Sequence, residues 1–518
     1  MNEKETGSFY TPEKLIKFMV SYIGDRVAPN TILEPSAGDG RFIKHIEQLN
    51  NDITLVEFDV EKTNQLKKKY DLKCKVICSD FISYSLHESR KFDLIIGNPP
   101  YISKKNIPQD QFNQSLEIAK YFNLDKSILQ NLWVSFVLSS IKMLENNGSI
   151  FFVLPFEFLQ VQYAEKLRNF LEIKFNTIEI VTFEERIFED IEQDVCLVYL
   201  TNETKGKPYI KYCTYKNANV EEKTFESIIM RNKPLKKWSN CILNDEETER
   251  LMNLAHKYKR IASYGEISPG IVTGANNFFI LPKNKADALC VPPSNILKII
   301  TKSSVIPWLL RFTKQDFDSL CVEDYNTHML SLTGLDEKLF SGELKDYIKK
   351  GETEDIHNRY KCSHRKRWYD VPIVKNGEAC FFKRYHHIPR VILNQEQIHT
   401  TDIIYNIRLL PEYDPESFTF CFYNSLTLAL CEYNGRFYGG GVGELVPSEF
   451  KGIALPYKKI RKQSVDKLDR LFREKTKIDK IIDYVDSIVL SDFQQEEILL
   501  LQNIRKRYLD RRLKNLQK

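Results

Sequence analysis

No Cys-x-x-Cys pair occurs in this 518-residue sequence, although it contains eleven cysteines. An odd, scattered set of thiols argues against a disulfide framework and for a reducing, cytoplasmic compartment. Cys74 with Cys78, and Cys362 with His364, come nearest to a metal-ligand spacing. Buried thiols and surface histidines account for both, so no metal is expected. No apolar run approaches the length of a membrane span, and the start, Met1-Asn2-Glu3-Lys4-Glu5, is too polar for a signal peptide. Also missing are the Gly-x-Gly-x-x-Gly of dinucleotide sites and the Gly-Lys-Ser/Thr of a phosphate-binding loop, which disfavours pyrophosphate binding. A strong charge is absent as well: the net value is +5, so the protein as a whole does not advertise a polyanion partner. Its basic residues gather instead between His357 and Arg390 and again after Arg505, which suits one basic face.

The length allows two or three domains with sizeable cores. The first part alternates short apolar runs with helical patterns. Thr11 suits an N-cap and Pro12 a first helical position, with Leu15, Ile16, Met19 and Val20 at helical spacing. The run Thr31-Ile32-Leu33 leads into Glu34-Pro35-Ser36-Ala37-Gly38-Asp39-Gly40, an arrangement of strand, glycine turn and helix that suits a nucleotide. The second strand, Ile53 to Val56, ends in Glu57, placed to accept hydrogen bonds from two ribose hydroxyls. The third, Cys74 to Cys78, ends in Ser79-Asp80-Phe81, which offers a carboxylate to an adenine amino group and a ring beside it. Each acid alone reads as a solvated loop residue, but their shared position at successive strand ends favours a site. Such alternation implies a largely parallel sheet covered on both faces.

The fourth strand, Phe92 to Ile96, runs through Gly97 into Asn98-Pro99-Pro100-Tyr101. The prolines fix their own φ and push the preceding residues toward extended geometry. The Asn98 side-chain oxygen and the Pro99 carbonyl then converge on one exocyclic amino group. Two acceptors favour its pyramidal form, which carries an available lone pair, and Tyr101 can stack on the base. A proline-rich turn after a strand is the bland alternative for these four residues alone.

Together, Thr11-Pro12, the segment Glu34 to Gly40, Glu57, Asp80-Phe81 and Asn98-Pro99-Pro100-Tyr101 resemble, in this order, the gamma-class (TaqI-like) DNA adenine-N6 methyltransferases of type II restriction–modification systems. The resemblance is strongest over residues 7–200 and continues, more weakly, beyond. It implies a Rossmann-like α/β domain that uses S-adenosyl-L-methionine, followed by an α+β target-recognition domain and a C-terminal helical segment. The expected boundaries are 1–207 for catalysis, 208–240 for a polar linker or extension, 241–457 for target recognition and 458–518 for a helical hairpin. For the cofactor the resemblance implies Thr11, Glu34, Pro35, Ala37, Gly38 and Gly40, with Glu57 on the ribose, Asp80 on the adenine amino group and Phe81 on its ring. For the target adenine it implies Asn98, Pro99 and Tyr101, with Phe188 as a second aromatic. The implied reaction is direct methyl transfer to N6 of an adenine swung out of duplex DNA. Host-DNA protection against a separately encoded restriction endonuclease follows from family habit.

In the second half, Ser268 to Asn277 forms a Thr-Gly-rich loop before the apolar run Phe278-Phe279-Ile280-Leu281, similar to a segment of the TaqI-like recognition domains. The run Arg359 to Tyr369 mixes cations with aromatics; a solvated basic loop packed on its own aromatics is one reading. Behind such a catalytic domain, Arg365, Lys366, Arg367, Trp368 and Tyr369 become expected DNA contacts. After Tyr457 the pattern is helical, with a second helix capped by Ser491 and Arg505, Lys506, Arg507, Arg511, Arg512 and Lys514 directed outward. A monomer is expected, with dimerisation or DNA-backbone contact through the last helix as the sharper hypothesis. Methylation of RNA adenine, of cytosine N4 (whose enzymes more often carry Ser where Asn98 stands) or of protein glutamine, and a catalytically silent DNA-binding subunit, are the alternatives that the same residues leave open.

Overall fold

The computed structural model describes residues 10–49, 52–70, 73–188, 194–202, 206–231 and 235–513. Expectations that fall on Gly7 to Phe9, on Glu189 and Asp190, and on Lys514 lie outside these residues. The chain forms two compact units: Met1–Thr248 with Tyr438–Gly441 and Arg511–Lys518, and Glu249–Phe437 with Val442–Asp510.

Among the described residues, the first unit is built on nine strands: β1 (Thr31–Glu34), β2 (Asp52–Glu57), β3 (Cys74–Cys78), β4 (Phe92–Gly97), β5 (Leu144–Pro155), β6 (Thr177–Phe183), β7 (Val195–Thr201), β8 (Tyr209–Tyr215) and β9 (Lys223–Met230). They lie in the order β3-β2-β1-β4-β5-β7-β6-β8-β9. From β3 through β5 the pairs are parallel, and β7 runs antiparallel to both β5 and β6. The central strands are apolar on both faces, as burial between helical layers requires. Helices α1 (Glu13–Ile23), α2 (Val60–Tyr70), α3 (Phe81–His87), α4 (Gln109–Tyr121) and α5 (Leu132–Lys142) connect or cover them. The strand order reverses between β1 and β4, so the carboxyl ends of β1, β2, β3 and β4 open at one edge, where such sheets bind ligands.

One detail at the start of this unit differs from expectation. Helix α1 begins at Glu13 with Pro12 in the cap position and no side-chain cap; Thr11 is buried instead of capping. Residues 208–240, expected as a linker or an extension, are an extension of the first unit. They supply β8 and β9, which extend the sheet, β8 parallel to β6 and β9 antiparallel to β8. Ile210 and Tyr212 alternate with Lys211, so β8 starts with one buried face, and towards its end Cys213, Thr214 and Tyr215 are buried on both faces. Beyond them Trp238 is fully buried against Phe158, and its Nε1 donates to Glu172 at 2.7 Å.

In the second unit, β10 (Gly265–Pro269), β11 (Arg311–Phe312), β12 (Ala379–Phe382), β13 (Arg390–Asn394) and β14 (Ile404–Leu409) form a mostly antiparallel sheet in the order β10-β14-β12-β13-β11. The run Phe278 to Leu281 is split: Asn276–Phe279 is a turn of helix and only Ile280–Leu281 is strand. A mixed α/β second unit is thus present. The C-terminal segment holds three helices rather than a hairpin of two: α6 (Lys462–Arg473), α7 (Ile478–Val489) and α8 (Gln495–Leu513). Lys475, in a left-handed conformation, breaks the first expected helix. The arginines expected outward on the last helix are partly inward: Arg505, Arg511 and Arg512 are all buried. Arg511 lies in the first unit, where its guanidinium pairs with Asp194 at 2.8 Å and covers the Phe156 ring at 4.2 Å. No helix among the described residues is long and apolar enough to cross a membrane.

Candidate active site

The carboxyl ends of β1, β2, β3 and β4 bring most of the expected residues to one edge of the first unit. Glu34 closes β1 and is 1% exposed. Its Oε2 is buried without a hydrogen-bond partner among the described residues. Burial, reinforced by Glu57 and Asp39, raises its pKa well above the carboxylate range. An orphaned buried carboxyl of this kind is costly unless a donor or cation meets it.

The turn after β1 wraps tightly because Gly38 and Gly40 adopt positive φ, +54° and +80°. A side chain at Gly40 would place a Cβ 2.8 Å from Leu66 of α2. Ala37 donates its N–H to Val56 at 3.0 Å, and Gly38 donates to Glu57 Oε2 at 2.7 Å. The other oxygen, Oε1, accepts from the N–H of Asp59 at 2.9 Å. Glu57 is therefore held at the end of β2 by main-chain donors on both oxygens, with lone pairs left for hydroxyl donors. Pro35 and Ala37 shape the turn, and Pro35 packs 3.4 Å from the position a Gly97 Cβ would take.

Asp80 follows β3 and caps α3, accepting from Ser83 at 2.9 Å. Its other oxygen accepts from the side-chain amide of Gln111 on α4. Phe81 is placed differently from expectation: its ring is buried against Phe136 at 5.1 Å, inside the layer between α3 and α5. An aromatic at the first position of a helix that packs on another helix becomes core.

Asn98 and Pro99 continue directly from β4, Asn98 half-buried and Pro99 buried. The Ser36 hydroxyl donates to the Asn98 main-chain carbonyl at 3.0 Å, tying this loop to the glycine turn. Tyr101 is half-buried, and its hydroxyl donates to the Val153 carbonyl on β5 at 3.0 Å. Burial, with smaller contributions from Cys196 and Glu157, pushes its phenol well above the usual range, so it stays neutral. Phe188 departs from expectation. It is 6% exposed and belongs to the apolar core with Phe183, Ile187 and Val195. Its place as a loop anchor follows from the Ile187-Phe188 pair, which closes the core ahead of β7.

Two aromatics outside the expected set belong to this edge. Tyr10 stacks beneath the Arg41 guanidinium at 4.8 Å, and its ring lies 3.6 Å from the position a Gly38 Cβ would take. Phe58, next to Glu57, is 72% exposed. A large ring left in solvent beside a strand-end acid suits a planar ligand. Position was the available signal: one precedes Thr11-Pro12, the other follows the acid.

The expected DNA contacts in the second unit are used mostly for its own structure. Arg365 donates to the carbonyls of Val272 and Thr273 at 3.0 and 2.8 Å. Arg367 pairs with Asp370 at 2.8 Å and donates to the Leu332 and Leu335 carbonyls. Trp368 packs on Phe278 at 5.1 Å, and Tyr369 is buried with its hydroxyl on Glu337. Lys366 alone of the five is exposed. The aromatics of the run make core contacts, and the arginines serve carbonyls and an acid that would otherwise lack donors.

Comparison with known proteins bears on both units. The Eco57I restriction-modification methylase family model matches residues 33–188, and the model for the C-terminal domain of the type II methyltransferase M.Eco57I matches residues 235–490. The chain belongs to the type II restriction–modification methyltransferases. Among members of this family, the type II methyltransferase M.AccI of Acinetobacter calcoaceticus is 25% identical over 538 residues, covering 96% of this chain and 95% of that one. The type II methyltransferase M.HincII of Haemophilus influenzae is 29% identical over 193 residues, 37% of this chain and 36% of that one. The Type IIL restriction-modification enzyme MmeI, solved in complex with DNA, shares the fold with a TM-score of 0.56 at 12% identity, over 96% of this chain and 75% of that one.

Proposed function

We propose that this type II restriction–modification methyltransferase methylates N6 of adenine in duplex DNA at a specific site, with S-adenosyl-L-methionine as methyl donor. The observation that carries the reading is the junction of Asn98-Pro99-Pro100-Tyr101, after β4, with the glycine turn after β1, joined through Ser36. An exocyclic amine needs its lone pair freed, and the acceptors suited to that task stand at the same sheet edge as the acids Glu34, Glu57 and Asp80.

The residues present fit the cofactor. Glu34 offers a buried carboxylate oxygen without a partner, which the cationic methionine end would satisfy. Glu57 faces the ribose hydroxyls, Asp80 the adenine amino group, and Phe58 the ring. When bound, S-adenosyl-L-methionine supplies a methyl group already activated by its sulfonium. The chain then has to position and polarise. Asn98 and the Pro99 carbonyl accept the two N–H groups of the target amine and hold it pyramidal. Tyr101, fixed by its bond to Val153, presents its ring as a wall to the flipped base. No general base is required before attack, since the amine proton becomes acidic once the new bond forms.

Purified protein with duplex DNA and methyl-labelled cofactor tests this. Nucleoside analysis is expected to show N6-methyladenine as the labelled product. Label in cytosine, or label only in RNA or protein, would overturn the reading. Protection of host DNA from a separately encoded endonuclease belongs to the same proposal, tested by resistance of the methylated DNA to that enzyme.

A further inference from the structure

The second unit places an unneutralised basic surface on a braced base, over residues 357–366. This segment contains Arg359, Lys361, Arg365 and Lys366 and no acidic residue. Most other arginines of the unit are spoken for: Arg311 pairs with Glu416 and Asp466, Arg384 with Glu444, Arg408 with Glu266 and Arg436 with Glu449. Arg359, Lys361 and Lys366 differ. All three are exposed, and no carboxylate lies within ion-pair distance of them among the described residues. Between them stands Tyr360, 72% exposed, with its ring 4.6 Å from that of the exposed His364 and the Lys361 ammonium 5.5 Å above it.

The surface is held from below. Arg365 turns inward and ties the short helix Tyr360–Ser363 to the Thr-Gly strap through the carbonyls of Val272 and Thr273. Gly274, at φ +80°, lets the strap lie on that helix; a Cβ there would come 2.8 Å from Lys361 Cβ and 3.3 Å from Cys362 Sγ. The Thr273 hydroxyl accepts from the Ala275 N–H at 3.1 Å, fixing the turn. Three exposed cations without a carboxylate partner and an aromatic ring left in solvent, on a base tied down by Arg365, offer themselves to an anionic partner.

We infer that Arg359, Lys361 and Lys366, with Tyr360, form a contact surface for the phosphate backbone of duplex DNA, braced by Arg365. The inference rests on the DNA-methyltransferase reading and goes beyond it by naming the surface. Cations without internal partners gain most from phosphates, because no existing ion pair must be broken, and counterion release supplies the affinity. Backbone contact carries no sequence information, so the surface serves register and affinity, not base choice.

The test uses the full chain and a labelled duplex of random sequence, with anisotropy read across a salt series. Combined Arg359→Gln, Lys361→Gln and Lys366→Gln is expected to weaken binding equally on every duplex. It should also flatten the salt dependence, by about 0.9 in the log–log slope for each lost phosphate contact. A control carrying Lys459→Gln, Lys462→Gln and Lys480→Gln removes the same charge from exposed positions of the same unit and is expected to keep the wild-type slope. Equal loss in both variants, or no loss in the first, overturns the surface. A loss confined to RNA binding, with duplex DNA unaffected, also overturns it. Wild-type protein that binds no duplex at any salt would contradict the underlying reading instead.

Discussion

The Ser36 hydroxyl donates a 3.0 Å hydrogen bond to the main-chain carbonyl of Asn98, so the turn that follows β1 is tied to the loop that follows β4. Removing the donor leaves that carbonyl to find another partner, at a cost of about 1 kcal/mol. Ser36→Ala is therefore expected to lower turnover roughly tenfold at most, by misplacing Asn98. Cofactor affinity should stay near wild type; single-turnover rates beside titration with S-adenosylhomocysteine separate the two effects.

Glu34 gives the site a pH signature. Its pKa is raised in the folded protein by burial and by Glu57 and Asp39, so between the ordinary glutamate value and the raised one the folded state holds a proton that the unfolded state has lost. Stability of the ligand-free protein should then fall as pH rises through that window. Glu34→Gln should remove the fall and weaken binding of the cationic cofactor. Thermal unfolding across pH, with calorimetry in two buffers to count the proton released on cofactor binding, checks both.

Tyr101 separates ring from hydroxyl. Its O–H is spent on the Val153 carbonyl, so Tyr101→Phe is expected to cost about 1 kcal/mol of stability and to keep turnover within a few-fold of wild type. Tyr101→Ala, which removes the wall, should lose far more activity than stability explains. Equal activity losses in the two variants would assign the role to the hydroxyl.

Phe188 is a core anchor in this structure, and its substitution should read accordingly. Phe188→Ala is expected to destabilise the protein by about 3–5 kcal/mol, as truncation of a buried ring does. Phe188→Leu, which keeps most of the volume, should preserve both fold and turnover. A leucine variant that folds normally yet loses base stacking, read by 2-aminopurine fluorescence at the target position, would restore the ring to the target pocket.

Arg511 is buried within the first unit against Asp194 and Phe156 although it comes from the last turn of the chain's final helix. Its removal leaves Asp194 without its paired cation, at a cost of about 3–5 kcal/mol. Arg511→Ala is expected to lower the denaturant midpoint accordingly, while Lys506→Ala, exposed on the same helix, should leave it unchanged.

The sequence made the strand ends readable because a parallel sheet buried on both faces leaves unbroken apolar runs, and the residues just beyond such runs must sit at one edge. Glu34, Glu57, Asp80 and Asn98 were legible for that reason. The strands β8 and β9 were not, since Lys211, Lys223 and Glu226 interrupt their apolar residues as polar residues interrupt an extended connection. Phe81 and Phe188 look alike in sequence whether they face a ligand or the core; only packing against Phe136, or within the cluster around Phe183, decides. The arginines misled most. Arg365, Arg367, Arg505 and Arg511 lie in basic runs, yet long side chains can turn inward to reach carbonyls and acids distant in sequence, and no local pattern marks which will. Nothing in the sequence shows that the Phe58 ring stands in solvent.

The most direct measurement is the turnover of Asn98→Ala on duplex DNA, set beside its affinity for S-adenosylmethionine. Loss of nearly all N6-methyladenine formation with cofactor affinity unchanged is the result expected from the proposed role of Asn98 at the target amine. Turnover within a few-fold of wild type would contradict the assignment of the Asn-Pro-Pro-Tyr loop as the place where the amine is held.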